Sequence, residues 1–242
     1  MAVILALDSS TDACSVALYT NGLVTSSFEL AAKSHTQRLL PMVDELLSGQ
    51  GIGLADLDAI AFGRGPGSFT GLRICMGIVQ GLAFGANLPV IPVSTLEAMA
   101  LGYYRANPAC TQPVMVALDA RMNEIYCCAY QQADVRGDRP SVLGDEAVIS
   151  PEILVGQELP LARGAFAAVG PGWHYSVLQQ LAPSTLALDV HPSAEDMVLI
   201  AAHLWGEGQT LNVLDAEPVY LRDTVSWQKR QRIRLADDLL VK

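Results

Sequence analysis

Residues 3–8 read Val-Ile-Leu-Ala-Leu-Asp and residues 114–119 read Val-Met-Val-Ala-Leu-Asp, two apolar runs that close on the same Ala-Leu-Asp. A shift of 111 positions lays Ala6, Leu7, Asp8 and Tyr19 on Ala117, Leu118, Asp119 and Tyr130. Each run turns a polar corner, Ser9-Ser10-Thr11 in the first case, and enters an alternating stretch: CSVALY at 14–19 and EIYCCAY at 124–130. Both units therefore read as a β-hairpin with aspartate at its first corner. An apolar strand ending on Asp is common in any α/β chain. Two such hairpins, each opening a segment of similar length, predict two related lobes.

Outward from the first hairpin the period changes. Leu39, Leu40, Val43, Leu46 and Leu47 lie on one face of a 3.6-residue helix over 35–47. Ser34 is its N-cap candidate, and Pro41 predicts a kink or a late start. Residues 57–62 read as a strand, 71–84 as a helix, 90–93 as a short strand and 94–102 as the start of another helix. In the second half, helices are expected near 173–181 and over 194–206, the latter opened by a capping box of Ser193 and Asp196. This alternation is α/β. The expected organisation is an N-terminal lobe over 1–108, a C-terminal lobe over 109–221 whose last helix is a candidate to pack back on the first, and a tail over 222–242.

With 51% hydrophobic and 17% charged residues among 242, the chain can bury enough apolar surface to offset its ordering entropy, which excludes disorder. A net charge of −10 argues against a protein built to hold nucleic acid or anionic lipid. The charge is uneven: residues 222–234 carry +4 and the first 221 carry −13. That basic tail reads equally as an RNA or partner contact and as a solvated terminus. Residues 74–96 hold no charge, but Gln80, Asn87, Pro89 and Pro92 break them into helix, turn and strand rather than a membrane span. The apolar run at 2–7 has no basic leader and meets Asp8 at once, unlike a secretory signal. Five cysteines without CxxC spacing read as reduced thiols, and four scattered histidines offer no metal-ligand spacing. The expected location is cytoplasmic.

The sharpest local motif is Gly63-Arg64-Gly65-Pro66-Gly67-Ser68-Phe69-Thr70-Gly71-Leu72-Arg73. Its glycines permit close backbone approach, and it feeds a helix N-terminus able to attract anions. The Lys-Ser/Thr of a P-loop is missing, and no acidic residue closes the next strand as in a dinucleotide fold. On these residues a structural turn and an anion or partner site stand even. The following helix carries Gly77, Gly81 and Gly85 on one face, each costing about 1 kcal/mol against Ala. Close approach of another helix would compensate, whether from the same lobe or another chain. No nucleophile–base pair stands out: Ser9, Ser10 and Thr11 have no histidine near in sequence.

ILALDSSTDACSVAL (4–18), FGRGPGSFTGLRI (62–74), PVSTLEAMA (92–100), ALDARMNEIYCCAY (117–130) and PVYLR (218–222) resemble the TsaB (YeaZ) family. The resemblance runs from about residue 3 to residue 222. It implies an actin-like ATPase (ASKHA) fold of two ribonuclease-H-like lobes. It also implies a non-catalytic subunit, not itself an enzyme, of the bacterial machinery that forms N6-threonylcarbamoyladenosine at position 37 of tRNA. The catalytic relative, TsaD, carries two metal-binding histidines at HxxxH spacing; Thr95 and Met99 stand in their places here, so no metal is expected.

The nucleotide-binding turns look eroded as well. The first-corner candidates are Asp8, Ser9, Ser10 and Thr11, joined by Gly65 and Gly67 of the glycine-rich loop. The Asp119 turn has bulky Arg121 and Met122 where small residues belong, and Gly170 and Gly172 resemble a remnant of an adenosine-contacting loop. No cofactor is expected of the chain alone. The resemblance further implies pairing with TsaD through the helices at 35–47 and 71–84, giving His35, Leu39, Leu40, Val43, Arg73, Gly77, Gly81 and Gly85 as interface candidates. It implies the ATPase TsaE as a further partner, a homodimer when TsaD is missing, and tRNA contact only through the complex. Two other classes compete: a hydrolase or peptidase, which needs a nucleophile or metal set, and a small-metabolite kinase of the actin-like superfamily, which needs a glycine-bearing Asp119 turn.

Overall fold

Asp8 lies opposite Ser15, and Val3 opposite Thr20, in an antiparallel pair of β1 (Val3–Asp8) and β2 (Ala13–Thr20). The computed structural model describes residues 2–30, 34–133 and 139–222. In chain order it continues with β3 (Leu23–Leu30), α1 (His35–Gln50), β4 (Ala59–Gly65), α2 (Phe69–Ala86), β5 (Val90–Ser94) and α3 (Thr95–Ala106). The second half follows as β6 (Val114–Arg121), β7 (Glu124–Gln131), β8 (Ser141–Val142), β9 (Ala147–Ile149), α4 (Pro151–Gly156), β10 (Ala167–Val169), β11 (Thr185–Ala187) and α5 (Ala194–Gly206). The basic segment beyond Arg222 lies outside the described residues.

The first sheet runs β3-β2-β1-β4-β5, with β1 parallel to β4 and β4 parallel to β5. The second runs β11-β10-β6-β7-β8, with β6 antiparallel to β7, parallel to β10, and β10 parallel to β11. Strand for strand, β6, β7, β10 and β11 repeat β1, β2, β4 and β5. The 111-residue offset is thus a repeat of architecture as well as of letters.

Period-two alternation loads both faces of each sheet. In the first, Leu5, Leu7, Val16, Leu18, Ile60 and Phe62 pack under α1 and α2, whereas Ile4, Ala6, Ala17, Ala59 and Ala61 pack under α5. The smaller residues on the second side let α5 sit close, and Ala194 N–H donates to Ser15 Oγ at 2.8 Å. In the second sheet, Val114, Val116, Cys128 and Val169 face Leu96, Met99 and Tyr103 of α3. The lobes therefore exchange cover: the last α-helix among the described residues lies on the first sheet, and the last helix of the first half lies on the second.

Local details depart from the expectations. α1 starts at His35 and runs through Pro41 without the late start. The Ser193 hydroxyl accepts from Glu195 N–H, but the Asp196 carboxylate is taken by Arg105, so the capping box is half made. Residues 171–181 form two 3₁₀ turns rather than a helix, because Tyr175 between them is extended. α2 is long and apolar enough to cross a membrane, yet Cys75, Met76, Val79 and Ala83 are packed in the first lobe's core.

Candidate functional site

The two Asp corners face each other across a cleft of about 470 Å³ lined by Ser10, Thr11, Gly67, Asp119, Arg121 and Arg222 among others. Asp8 lies beneath its floor, fully buried. Its Oδ2 accepts from Ser10 N–H and Oγ–H at 3.2 and 3.0 Å, and its Oδ1 has no hydrogen-bond partner. Burial outweighs those bonds and pushes its pKa up to about 6. His35 Nε2 donates to Thr11 O at 2.9 Å, so the first residue of α1 pins the same corner.

The glycine-rich loop is fitted to this corner. A Cβ on Gly63 would collide with Asp8 Oδ1, one on Gly67 with Ser10 O, and one on Gly71 with Ser9 O. Ser68 N–H donates to Ser10 O at 2.6 Å, and Ser9 Oγ–H to Gly71 O at 2.9 Å. The Gly71 N–H at the start of α2 is taken by Ser68 Oγ. Gly67 and Gly71 are thus fitted against main-chain oxygens of the first corner, and Gly63 against the Asp8 carboxylate. Gly170 and Gly172 have the same kind of reason: their Cβ atoms would lie 2.5 Å from Ala117 O and 2.7 Å from Ala117 C.

The second corner is built differently. Asp119 Oδ1 accepts from Arg121 N–H at 2.8 Å, and Arg121, Met122 and Asn123 all hold positive φ (63°, 56° and 59°). Side-chain-bearing residues in that region cost about 1 kcal/mol or more each, so the turn is held by contacts elsewhere. They come from the PVYLR segment. Arg222 donates to Ala120 O at 3.2 Å and pairs with Glu124. Val219 N–H donates to Arg64 O at 2.7 Å, and Tyr220 stacks 5.6 Å from Phe69 while its hydroxyl accepts from Arg73 Nε–H at 3.2 Å. Gly65, at φ +103°, is where the strap's Val219 carbonyl comes closest, 3.0 Å from a built Cβ.

Thr95 and Met99 are both fully buried, Met99 in the apolar layer over the second sheet. Among the described residues no three His, Cys, Asp or Glu side chains come together as a metal site.

The interface candidates divide. His35, Leu39 and Val43 are spent inside the first lobe. Leu40 stands on the surface at 47% exposure, as do Arg73, Gly77, Gly81 and Gly85. Among the described residues, no heavy atom from elsewhere lies within 4 Å of a Cβ built on any of these three glycines. Phe69 (53% exposed) and Phe84 (70%) flank the same face, neither having stood out in the sequence because an aromatic on an apolar helix reads as core.

Two ribonuclease-H-like sheets of matching order, opened by Asp hairpins and joined round a cleft, define the actin-like (ASKHA) class. The comparisons with known proteins narrow this. A profile described as "TsaD: tRNA N6-adenosine threonylcarbamoyltransferase" matches residues 26–199. The tRNA threonylcarbamoyladenosine biosynthesis protein TsaB of Escherichia coli (strain K12) is 47% identical over 93% of this chain and 97% of its own. The TsaB of Haemophilus influenzae is 45% identical over 93% and 96%. The chain belongs to the TsaB family of tRNA threonylcarbamoyladenosine biosynthesis proteins. A solved structure titled "YeaZ from Pseudomonas aeruginosa" superposes at TM-score 0.84 with 42% identity, covering 91% of this chain and all of that one. Likeness to a tRNA N6-adenosine threonylcarbamoyltransferase, that of Chromobacterium violaceum, is partial: 36% identity over 48% of this chain and 39% of the enzyme.

Proposed function

We propose that this chain is a non-catalytic subunit in tRNA N6-threonylcarbamoyladenosine formation, pairing through the outer face of α1 and α2 with the catalytic subunit TsaD. The observation that carries the reading is the bare glycine stripe. Gly77, Gly81 and Gly85 lower the helix propensity of α2, leave open space above them among the described residues, and lie between two exposed phenylalanines. A flat floor between aromatic anchors suits close approach of a partner helix. Leu40 and Arg73 extend this face; Leu39, Val43 and His35 support it from below. The non-catalytic role is supported by Thr95 and Met99 standing where the enzyme's histidines would be, and by the Asp119 turn, whose αL residues and Arg222 occupy the mouth of the cleft.

On this reading TsaE joins the pair, tRNA is met through the complex, and the protein works in the cytoplasm. Without TsaD, the same face pairs two copies. Light scattering after size exclusion, on the chain alone and mixed with TsaD from the same organism, tests it. A stable mixed complex that displaces the homodimer is the expected result. A chain indifferent to TsaD would overturn the pairing role.

A further inference from the structure

We infer that residues 219–222 form a latch across the mouth of the cleft, fixing the β6–β7 turn of the second lobe to the N-terminal end of α2 in the first. At the first-lobe end the grip is backbone and ring. Val219 N–H donates to Arg64 O at 2.7 Å, and Tyr220 lies on Phe69 with its hydroxyl on Arg73 Nε. At the second-lobe end the grip is one guanidinium. Arg222 Nη2 donates to Ala120 O at 3.2 Å and Arg121 O at 3.5 Å, and pairs with Glu124; Nη1 lies 3.5 Å from Met122 Sδ.

Two carbonyls and a carboxylate converge on Nη2 while Nη1 reaches Met122 Sδ, a two-ended grip that the single ammonium of lysine does not reproduce. The carbonyls are presented because Arg121, Met122 and Asn123 follow one another in the left-handed region, a conformation the arginine and methionine side chains disfavour. Consecutive Cα atoms of an extended chain lie at most ~3.6 Å apart along its axis, so positions 219 and 222 span no more than roughly 11 Å. While both ends hold, the mouth cannot open beyond that reach.

The opposite side of the junction is tied as well. Arg64, whose carbonyl receives the latch, sends its guanidinium 3.1 Å to Glu146, which also holds Ser94. Glu97 of α3 pairs with Arg139 at 2.7 Å. Opening the mouth therefore requires the latch to give, whatever these ties do. The latch is made of contacts within this chain, although its Phe69 and Arg73 also belong to the α2 face.

Hydrogen exchange by mass spectrometry on the full chain, without partner, tests it. In Arg222→Ala the amides of 120–124 should exchange at least tenfold faster, and those of the first turn of α2 should quicken with them, while β1 and β4 keep wild-type rates. Arg222→Lys should behave like the alanine variant. Tyr220→Ala reads the latch from its other end and should quicken 120–124, a turn Tyr220 does not touch. Loosening confined to the mutated side would reduce the contacts to local clips and overturn the latch. So would full rescue by lysine, or unchanged exchange in both alanine variants.

Discussion

Replacing Gly77, Gly81 and Gly85 together by alanine should make the isolated protein more stable and its pairing worse. Each built Cβ enters open space, so no clash offsets the gain in helix propensity. That gain is about 1 kcal/mol per Gly→Ala in a helix interior, hence about 3 kcal/mol for the three. For a chain of this size 1 kcal/mol moves Tm by ~2–4 °C, which predicts a rise of roughly 6–12 °C by thermal melts under dilute, partner-free conditions. The same methyls raise the floor between Phe69 and Phe84 just where a partner helix would lie. Overpacking by about 1–3 kcal/mol should weaken pairing with TsaD about fivefold or more in a titration followed by light scattering. A fall in Tm would show that the glycines do internal work the open space does not reveal. A rise in Tm with unaltered affinity would remove the stripe from the interface.

Two adjacent leucines should separate core from surface. Leu39→Ala should cost about 2–5 kcal/mol in urea denaturation because the side chain is fully buried, whereas Leu40→Ala should stay within about 0.5 kcal/mol and weaken pairing. Gly172→Ala places a Cβ 2.7 Å from main-chain Ala117 C, which cannot give way; a loss of about 1–3 kcal/mol in the urea midpoint is expected. Asp8 predicts a pH dependence of definite sign. Its native carboxyl keeps a proton up to about pH 6 while the unfolded one loses it near 3.8, so folding takes up a proton between these values. Stability from this group should fall as pH rises through that window, on the order of 2–3 kcal/mol, and urea melts of Asp8→Asn should lack that slope.

The duplicated hairpins were legible because each sheet begins with a strand whose alternation and terminal Asp are local properties. The helices α1, α2 and α5 were legible through their period. What was hidden lay in pairings between distant residues. The return of α5 to the first lobe was a candidate in the sequence, but nothing in the letters of 94–106 tells that α3 covers the second sheet, since an apolar face does not name its partner. The strand β3 went unread because Thr25, Ser26 and Ser27 mute the alternation of an edge strand, and α4 because six residues give too few turns for a period. At the candidate site, the glycines of 63–71 were visible but not what they approach, and the PVYLR segment showed as a family mark without its geometry. The partition of Leu39 from Leu40 needed the sheet beneath them, because both fit the same helical stripe.

The exchange of helices between the lobes has a consequence for synthesis. Ser15 meets Ala194 through a bond that closes 179 residues of chain, and α5 is among the last helices to leave the ribosome. At about 5–20 residues per second, the alanine-rich side of the first sheet waits roughly 10–40 s for its cover. During that interval the nascent chain carries an apolar face that its own N-terminal half cannot hide. A message truncated before residue 194 would leave that face permanently bare, producing a client for holdase chaperones instead of a working half-protein.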